Sequence, residues 1–539
     1  MGASGLWLWA VAAALLLLGG GGGGAGGGGA TGVEAGRVLG IFYFPGRSHF
    51  VVIEKLLKEL AKRGHQVDVV SHFPQEKPLP NYRDFSLAGS YPSMVNLWTF
   101  ELLQSFHFFK MMTWMWDENV EICRKVMEHP VMKQLAESRE KYDVVLVEVF
   151  GADCAYGYAY KVGAPVIGIT TLVGLPWVQE RVGNPENPAY VPGAQLPFTS
   201  HMSLWERTLN TLGQLYAVWG EKLRGRRLND QLLREHLGAD MPPLSELIER
   251  NTSLVMVNSH FSLNGARPAV PGYVEVGGMN VDPNPEPLPE PFRSFLDGAG
   301  AAGAVLVSFG SLVPGEKLPP KQLQAFLKVL GALPQRVVWR VNASRVPGGL
   351  PRNVIGSTWI PQQALLSHPN MRAFVTHGGL GGTHEAVHWG VPTVTIPFFS
   401  DQHQNGFLMQ QHGAGRVLQF DDITEDSLRQ ALHAVLNDPS YRENARRLSE
   451  QFRDRPQAPL ETAVWWTEYV MRHRGAPHLR SAAVGLSWVQ LWLLDVGAAL
   501  LAILVLLTTF LWLIVRVVTN CFFSKPNDRD SKTKKAKTN

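Results

Sequence analysis

The stretch Phe374-Val-Thr-His-Gly-Gly-Leu-Gly-Gly-Thr-His-Glu385 decides the fold of the second half of this 539-residue chain. An apolar run from Met371 to Val375 leads to His377 and a glycine-rich turn, and the turn opens into a segment that can be helical. Glycines let backbone N–H groups approach a ligand closely, and a helix N-terminus adds partial positive charge. This order of strand, turn and helix predicts an α/β domain that can hold a diphosphate.

More polar residues follow at suitable places. Glu385 lies about two turns into the predicted helix, where its carboxylate can accept hydrogen bonds from a ribose. A second apolar run, Val391 to Phe399, ends shortly before Asp401-Gln402, and these side chains can reach the hydroxyls of a sugar. The pattern therefore predicts a nucleotide-sugar site.

The segment from Trp359-Ile-Pro-Gln362 to Gln402 resembles the nucleotide-sugar signature of the UDP-glycosyltransferase family, which includes the UDP-glucuronosyltransferases. Two positions depart from the family pattern: Gly381, where members usually carry Asn, and Thr393, which replaces an apolar residue. The alternative is a structural glycine turn in an unrelated α/β protein. The residues that fall at the family's spacing are Trp359, Gln362, His377, Glu385, Asp401 and Gln402.

The resemblance implies a role for each of these residues. Trp359 stacks on the uracil, unless it is a core tryptophan, and Gln362 hydrogen-bonds the base. Glu385 binds the ribose, whereas Asp401 and Gln402 bind the sugar. The diphosphate is held by Ser311, His377, Gly379, Gly381, Gly382 and Thr383.

The first predicted strand ends in Pro45-Gly-Arg-Ser48-His49, and a helix follows. In the family resembled, the histidine at this position is the general base that deprotonates the acceptor hydroxyl, a task that suits imidazole. The family orients this histidine with an Asp, but the aligned position here carries Glu148, one methylene longer. The plainer alternatives are a capping role for His49 and an ordinary buried pair for Glu148.

No metal or other cofactor is expected. The only Asp-x-Asp spacing is Asp528-Arg-Asp530, in the predicted cytosolic tail, and no Cys/His cluster has metal-ligand spacing. We therefore predict a metal-independent reaction, in which a UDP-sugar is a co-substrate as the resemblance implies. Direct attack opposite the leaving group implies inversion, which gives a β-glycoside from an α-linked donor.

Alternating strand-like and helical segments predict two doubly wound α/β domains. Strands are predicted at 38–44, 67–71, 143–149 and 165–170, with a helix at 51–63, and a second unit has strands at 304–309, 337–341, 371–376 and 391–396. Five prolines between Val281 and Pro291 predict a linker. The predicted domains are 36–280 for the acceptor and 292–480 for the UDP-sugar, facing each other across a cleft in the GT-B architecture that the resemblance also implies.

The two ends predict a membrane protein. Residues 1–35 are typical of a cleaved signal peptide, with a retained anchor as the alternative. Residues 496–515 form an uncharged run long enough to cross a bilayer, and the basic tail 516–539 puts the body in the lumen. Lysines third and fifth from the end resemble the retrieval signal of endoplasmic reticulum membrane proteins. Two sequons, at Asn251 and Asn342, fit a glycosylated lumenal body, and pairing of Cys123 with Cys154 stays open.

Charge argues against a nucleic-acid partner. The formal net charge is +4, yet the tail from Arg516 carries seven basic and two acidic residues, a local +5, so the rest of the chain is near −1. The aromatic and methionine-rich segment from Leu97 to Trp116 indicates an apolar acceptor pocket, a patch against the lumenal leaflet, or plain core packing. A homo-oligomer also stays open.

We therefore expect an enzyme that transfers a hexosyl group to a small lipophilic acceptor. Glu148 and the Val149-Phe150 that follows resemble invertebrate members, which favours UDP-glucose as donor over UDP-glucuronate. Two rivals remain: a membrane protein that binds UDP-sugar or lipophile with little or no catalysis, and a sugar-nucleotide epimerase of the same architecture.

Overall fold

Two parallel β-sheets carry the architecture, in a computed structural model that describes residues 35–95, 99–150, 153–311 and 313–523. The predicted signal peptide up to residue 34, the end of the tail with its lysines, and Asp528-Arg-Asp530 lie outside the described residues. So do Leu97 and Trp98 of the aromatic segment. Everything described below belongs to the unit that begins at Gly36.

The first sheet has seven strands in the order β3-β2-β1-β4-β5-β6-β7, and every neighbouring pair is parallel. Runs such as Val144–Glu148 are buried along their whole length, as expected of strands covered on both faces. Strands β3, β6 and β7 were not predicted, and in β3 the polar residues hide the strand pattern. The strands are β1 Arg37–Phe42, β2 Gln66–Ser71, β3 Tyr82–Ser86, β4 Val144–Glu148, β5 Val166–Thr170, β6 Thr252–Val257 and β7 Tyr273–Glu275.

The second sheet has six strands in the order β10-β9-β8-β11-β12-β13, again all parallel. The four predicted runs form four of its strands, and β10 and β13 add the two edges. The strands are β8 Ala304–Ser308, β9 Arg336–Arg340, β10 Val354–Ser357, β11 Met371–Thr376, β12 Thr393–Thr395 and β13 Gly415–Val417.

Helices connect successive strands and cover both sheets. They are α1 Arg47–Lys62, α2 Phe100–Gln104, α3 Phe108–Glu128, α4 Pro130–Glu137, α5 Ala155–Val162, α6 Pro176–Arg181, α7 Leu204–Gly220 with a π-helical turn Glu221–Arg226, α8 Arg227–Leu237, α9 Leu244–Asn251, α10 Phe261–Asn264, α11 Phe292–Asp297, α12 Pro320–Gly331, α13 Gln362–Ser367, α14 Leu380–Trp389, α15 Gln402–Gln411, α16 Glu425–Asn437, α17 Pro439–Arg453, α18 Pro459–Arg472, α19 Trp488–Leu491 and α20 Leu494–Phe523.

The strand order reverses at one point in each sheet. In the first sheet β1 lies between β2 and β4, and in the second β8 lies between β9 and β11. Ligands of doubly wound sheets bind at the carboxyl ends of the strands at such switch points. His49 and Glu148 lie at the first switch point, and Ser311 and His377 at the second.

Helix α18, near the C-terminal end of the body, packs against the first sheet rather than the second. Helix α18 lies inside the predicted range 292–480, yet its Ala463, Val464 and Val470 are buried in the same core as Val38 and Leu146 of the first sheet. This arrangement depends on contacts between residues more than 300 positions apart, which no local pattern encodes. Helix α20 contains the predicted span 496–515 and is, among the described residues, the one helix long and apolar enough to cross a membrane.

Candidate active site

Both switch points open onto one cavity of about 630 Å³. Its lining includes eleven of the residues singled out from the sequence, whereas Glu148 and Thr383 lie behind it. The eleven are His49, Ser311, Trp359, Gln362, His377, Gly379, Gly381, Gly382, Glu385, Asp401 and Gln402.

His49 is held in place by a carboxylate and a hydroxyl. It lies in the first turn of α1, and its Nδ1 is 2.6 Å from Oε1 of Glu148 at the end of β4. Thr171, which directly follows β5, places Oγ1 2.9 Å from the same Nδ1 and donates to Glu148 Oε1 at 3.0 Å. The imidazole also contacts the rings of Phe44 and Phe150, with centroids 4.5 and 4.8 Å away. The extra methylene of Glu148 therefore does not prevent the pair from forming.

Asp143, the other acidic residue of this segment, lies at the opposite end of the strand. Its Oδ2 accepts from the backbone N–H of Arg37 at 2.7 Å. Arg37 begins β1, whereas His49 follows its carboxyl end. Asp143 is therefore remote from the imidazole, and its part is to fix the start of β4.

The glycine-rich turn after β11 presents unpaired backbone donors. Gly378 has φ +86°, and a Cβ at this residue would lie 2.8 Å from the carbonyl oxygen of Gln402, so only glycine fits. Helix α14 starts at Leu380, and Thr383 N donates to the carbonyl of Gly379. The N–H groups of residues 380–382 have no acceptor within the helix, as in any first turn. They can bind an anion.

His377 and Ser311 add unsatisfied polar atoms beside this turn. His377 Nδ1 and Ser311 Oγ are buried and lack a hydrogen-bond partner among the described residues. Burial, with a smaller contribution from the charge of Arg340, lowers the pKa of His377 to about 4, so the ring is neutral. Buried polar atoms are normally satisfied. These two atoms are therefore available to hydrogen-bond a polar ligand.

Arg340 supplies a positive charge that sequence reasoning missed. It ends β9, lines the cavity and donates through Nη1 to the carbonyl oxygen of Gly310. Its position after an apolar strand was a signal that could have found it. A guanidinium at this edge suits the phosphates that the neighbouring turn can bind.

The residues predicted for the uridine lie together. Gln362 Nε2 donates to Glu385 Oε2 at 2.6 Å. Burial raises the pKa of Glu385 to about 7, although this hydrogen bond acts in the opposite direction. Trp359 is 69% exposed and lines the cavity, so it is not a core tryptophan. An exposed indole at a cavity wall is available for stacking.

The side chains of Asp401 and Gln402 are each held by a hydrogen bond from a nearby residue. Gln402 Oε1 accepts from the backbone N–H of Phe398 at 2.9 Å, which leaves its amide N–H groups to bind a ligand. Asp401 Oδ2 accepts from Asn405 at 2.8 Å. Burial raises the pKa of Asp401 to about 6, although the hydrogen bond from Asn405 acts in the opposite direction.

Apolar side chains form the wall next to His49. Met111, Trp114 and Met115 of the aromatic segment line the cavity, whereas Met112 and Trp116 are buried in the core of the first sheet. Phe109 is instead 55% exposed. The segment therefore divides between the cavity wall, the core and the surface.

Two further features concern the predicted lumenal body. Cys123 and Cys154 form a disulfide, which ties α3 to the segment that follows β4. Both sequon asparagines are partly exposed. At Asn342 the side-chain oxygen accepts from Ser344 Oγ at 2.8 Å, whereas at Asn251 the third residue of the sequon, Ser253, is buried in β6.

Solved structures resemble this fold. The crystal structure of the glycotransferase of kitacinnamycin superimposes with a TM-score of 0.54 at 21% identity, covering 80% of this chain and 99% of that one. CalG4, the calicheamicin glycosyltransferase, gives 0.53 at 21% identity, covering 82% and 99%. At this identity the likeness shows the fold alone. With two parallel sheets around one cavity, the chain has the GT-B fold of glycosyltransferases.

Sequence comparison defines the family. A family model described as "UDP-glucoronosyl and UDP-glucosyl transferase" matches residues 41–527. UDP-glucosyltransferase 2 from Dactylopius coccus is 39% identical over 470 residues, which cover 86% of this chain and 89% of that protein. UDP-glucuronosyltransferase 1A8 from Homo sapiens is 33% identical over 495 residues, covering 87% and 89%. The chain belongs to the UDP-glucuronosyl and UDP-glucosyl transferase family and is a UDP-glycosyltransferase.

Proposed function

We propose that this enzyme transfers a hexosyl group from UDP-glucose to a hydroxyl of a small lipophilic acceptor, with inversion and without a metal ion. UDP-glucuronate is the alternative donor. The observation that carries the proposal is the shared cavity: His49, paired with Glu148, lines one side, and His377, whose Nδ1 lacks a partner among the described residues, lines the other.

His49 acts as the general base. With the Nδ1 proton directed at Glu148, Nε2 keeps its lone pair and accepts the proton of the acceptor hydroxyl. The hydroxyl oxygen forms a bond to the anomeric carbon as the bond from that carbon to the phosphate oxygen breaks. UDP leaves with the electron pair. The carboxylate of Glu148 stabilises the imidazolium, and Thr171 fixes the carboxylate by its hydrogen bond.

The leaving diphosphate is stabilised by groups of the second sheet. They are the free N–H groups at the start of α14, the neutral His377, Ser311 and the guanidinium of Arg340. Donors already aimed at a developing charge need no reorganisation during the reaction. Among residues 35–95, 99–150, 153–311 and 313–523, no group of three His, Cys, Asp or Glu side chains could hold a metal. This donor set supports catalysis by the protein's own dipoles and charges.

Inversion is expected because the acceptor and the UDP leaving group are bound by opposite sides of the cavity. The base comes from the first sheet and the diphosphate-binding turn from the second, so the acceptor attacks from the side opposite to the leaving group. Glu385 binds the ribose hydroxyls, and Asp401 and Gln402 bind hydroxyls of the hexose. The relative of 39% identity that is named a glucosyltransferase supports UDP-glucose as donor.

Membrane anchoring supports a lipophilic acceptor. Helix α20 is uncharged from Val496 to Val515, and the wall beside His49 consists of methionine and aromatic side chains, which adapt to varied apolar shapes. We propose that the enzyme is a single-pass protein of the endoplasmic reticulum with its body in the lumen, glycosylated at Asn342 and Asn251.

The test is a donor and acceptor screen on the full chain in microsomes. Labelled UDP-glucose and UDP-glucuronate are offered with a panel of phenols and steroids. We expect conjugates from UDP-glucose, loss of turnover with intact UDP binding in His49→Ala, and weakened UDP binding in His377→Ala. EDTA should leave the rate unchanged. UDP binding without any conjugate would favour a non-catalytic binding protein, and unaltered UDP affinity in His377→Ala would contradict the assigned site.

A further inference from the structure

Helix α7 exposes its large apolar side chains and buries small or polar ones, which is the reverse of a helix that faces water. Its buried side presents Asn210, Gly213 and Ala217. Its outward side, continued through the π-helical turn, is a row of leucines and tryptophans that we call the α7 stripe. The stripe consists of Leu204 (74% exposed), Trp205 (68%), Leu209 (37%), Leu212 (59%), Leu215 (47%), Trp219 (42%) and Leu223 (67%).

Such a row differs from scattered surface leucines. The residues recur every three or four positions, so they form one continuous band along the helix. Thr208 is the one fully exposed polar residue among them, whereas Glu206, Arg207 and Lys222 are only partly exposed, and the Lys222 ammonium lies over the Trp219 ring, 5.5 Å from its centroid. Contiguous exposed apolar surface marks an interaction site.

The segment that enters the membrane packs against the domain that carries this helix. Arg480 donates through Nη2 to the carbonyl oxygen of Arg250, at the end of α9. A Cβ at Gly183, two residues after α6, would lie 3.0 Å from the Cβ atoms of both Ser481 and Ala483. Eleven residues after Ala483, helix α20 begins. The N-terminal domain is therefore held close to the bilayer.

The intervening segment exposes residues of the same kind. Trp488, Leu491 and Trp492 are 56%, 50% and 62% exposed. Tryptophan is enriched where a protein meets the headgroup region of a bilayer, because its ring is apolar and its N–H is polar. The α7 stripe has the same composition, with a tryptophan near each end and leucines between them.

We propose that the α7 stripe lies in the interfacial layer of the same membrane that α20 crosses, on the side of the enzyme's body. The occupant is a phospholipid leaflet. A helix with one apolar face and interfacial tryptophans is the form in which proteins lie on a bilayer. Arg227, exposed just beyond Leu223, matches the lipid phosphates at that end, whereas the neighbouring Arg224 is paired with Asp117.

The stripe adjoins the acceptor side of the active site. The ring of Phe109 contacts Tyr216 of α7, with centroids 4.9 Å apart, and the following turns of the same helix α3 line the cavity through Met111 and Met115. Gln195 lines both this cavity and the narrow groove beneath α7. Acceptors dissolved in the leaflet therefore have a short path to His49. This last step rests on the proposed function, whereas docking of the stripe does not.

Docking is tested by lipid quenching in the full chain, reconstituted in phosphatidylcholine vesicles. Cys521→Ser removes the single unpaired cysteine, and Leu212→Cys then accepts a fluorescent NBD label. Asp426→Cys, on the exposed face of α16, is the matched control. We expect doxyl-labelled phosphatidylcholine to quench the probe at 212 several-fold more than the probe at 426. Equal quenching at the two positions, or none at 212, overturns the proposal.

A charge variant tests the delivery of acceptors. Leu212→Glu with Trp219→Glu places two carboxylates on the exposed stripe, and Gln324→Glu with His433→Glu places two on exposed helices of the second sheet. In vesicles, we expect the KM for a lipophilic phenol to rise several-fold in the stripe variant only, with an unchanged KM for UDP-sugar. An unchanged phenol KM overturns delivery from the leaflet. If no donor gives turnover, the quenching result still decides docking, so the two failures are distinguishable.

Discussion

Replacing Glu385 by Gln is expected to stabilise the free enzyme and to lower its affinity for the nucleotide. Glu385 is 7% exposed, and burial raises its pKa to about 7 from an ordinary value of 4.5. Gln has the same shape, stays neutral, and its Oε1 can still accept the 2.6 Å hydrogen bond from Gln362. The substitution therefore removes a buried charge without opening a cavity.

The magnitude follows from the pKa difference between the folded and unfolded chains. A shift of one pKa unit corresponds to about 1.4 kcal/mol, so raising the pKa of Glu385 from 4.5 to about 7 destabilises the folded state by about 3 kcal/mol. Because the folded pKa is raised, the penalty is absent below pH 4.5. It grows as the pH rises and is complete above pH 7.

The assay is thermal unfolding of the detergent-solubilised full chain without UDP, at pH 5 and pH 8. We expect Glu385→Gln to match the wild type closely at pH 5 and to exceed its Tm by roughly 5 °C or more at pH 8. Effects of other titrating groups cancel, because both proteins carry them. A Tm difference that is the same at both pH values would refute the reasoning.

Nucleotide binding should change in the opposite direction. A carboxylate can accept hydrogen bonds from two ribose hydroxyls, whereas the amide offers one acceptor, so UDP affinity at pH 8 should fall by about tenfold. In the wild type, UDP affinity should decrease as the pH falls below 7 and Glu385 becomes protonated. Isothermal titration at pH 6 and 8 measures both effects, and Glu385→Gln should lose the pH dependence.

Three more substitutions test other parts of the site. Glu148→Asp withdraws the carboxylate from the 2.6 Å contact with His49 by about one C–C bond, so kcat should fall by about 10²-fold with little change in donor KM. Gly381→Asn should lower the donor KM several-fold without lowering Tm, because a Cβ there meets nothing within 4 Å. Cys123→Ser opens a disulfide spanning 31 residues and should destabilise the first domain by about 3 to 4 kcal/mol.

Each of these substitutions has its own control. Full activity in Glu148→Asp would mean that His49 needs no oriented carboxylate. Gly378→Ala is the matched partner of Gly381→Asn, since its φ of +86° and the 2.8 Å approach to Gln402 should cost both stability and donor binding. For the disulfide, dithiothreitol should lower the Tm of the wild type toward that of Cys123→Ser and leave the variant itself unchanged.

The sequence alone was sufficient for the elements that have a strong local pattern. Buried runs such as Val144–Glu148 form strands because β-branched side chains suit a sheet covered on both faces. Gly378 marks a turn because its backbone angle excludes other residues. The resemblance to the family implied that the domain of His49 faces the domain of His377 and Asp401 across a cleft, and these three residues do line one cavity.

Tertiary structure alone decided which distant groups meet. Thr171 joins the His49–Glu148 pair, and Arg340 lines the same cavity as the glycine-rich turn, because neighbouring strands end at the same edge although they are far apart in sequence. The return of α18 to the first sheet and the outward leucines of α7 have the same origin. An apolar periodicity shows that a helix has an apolar face, but only packing determines whether that face is buried in the core or left for a membrane.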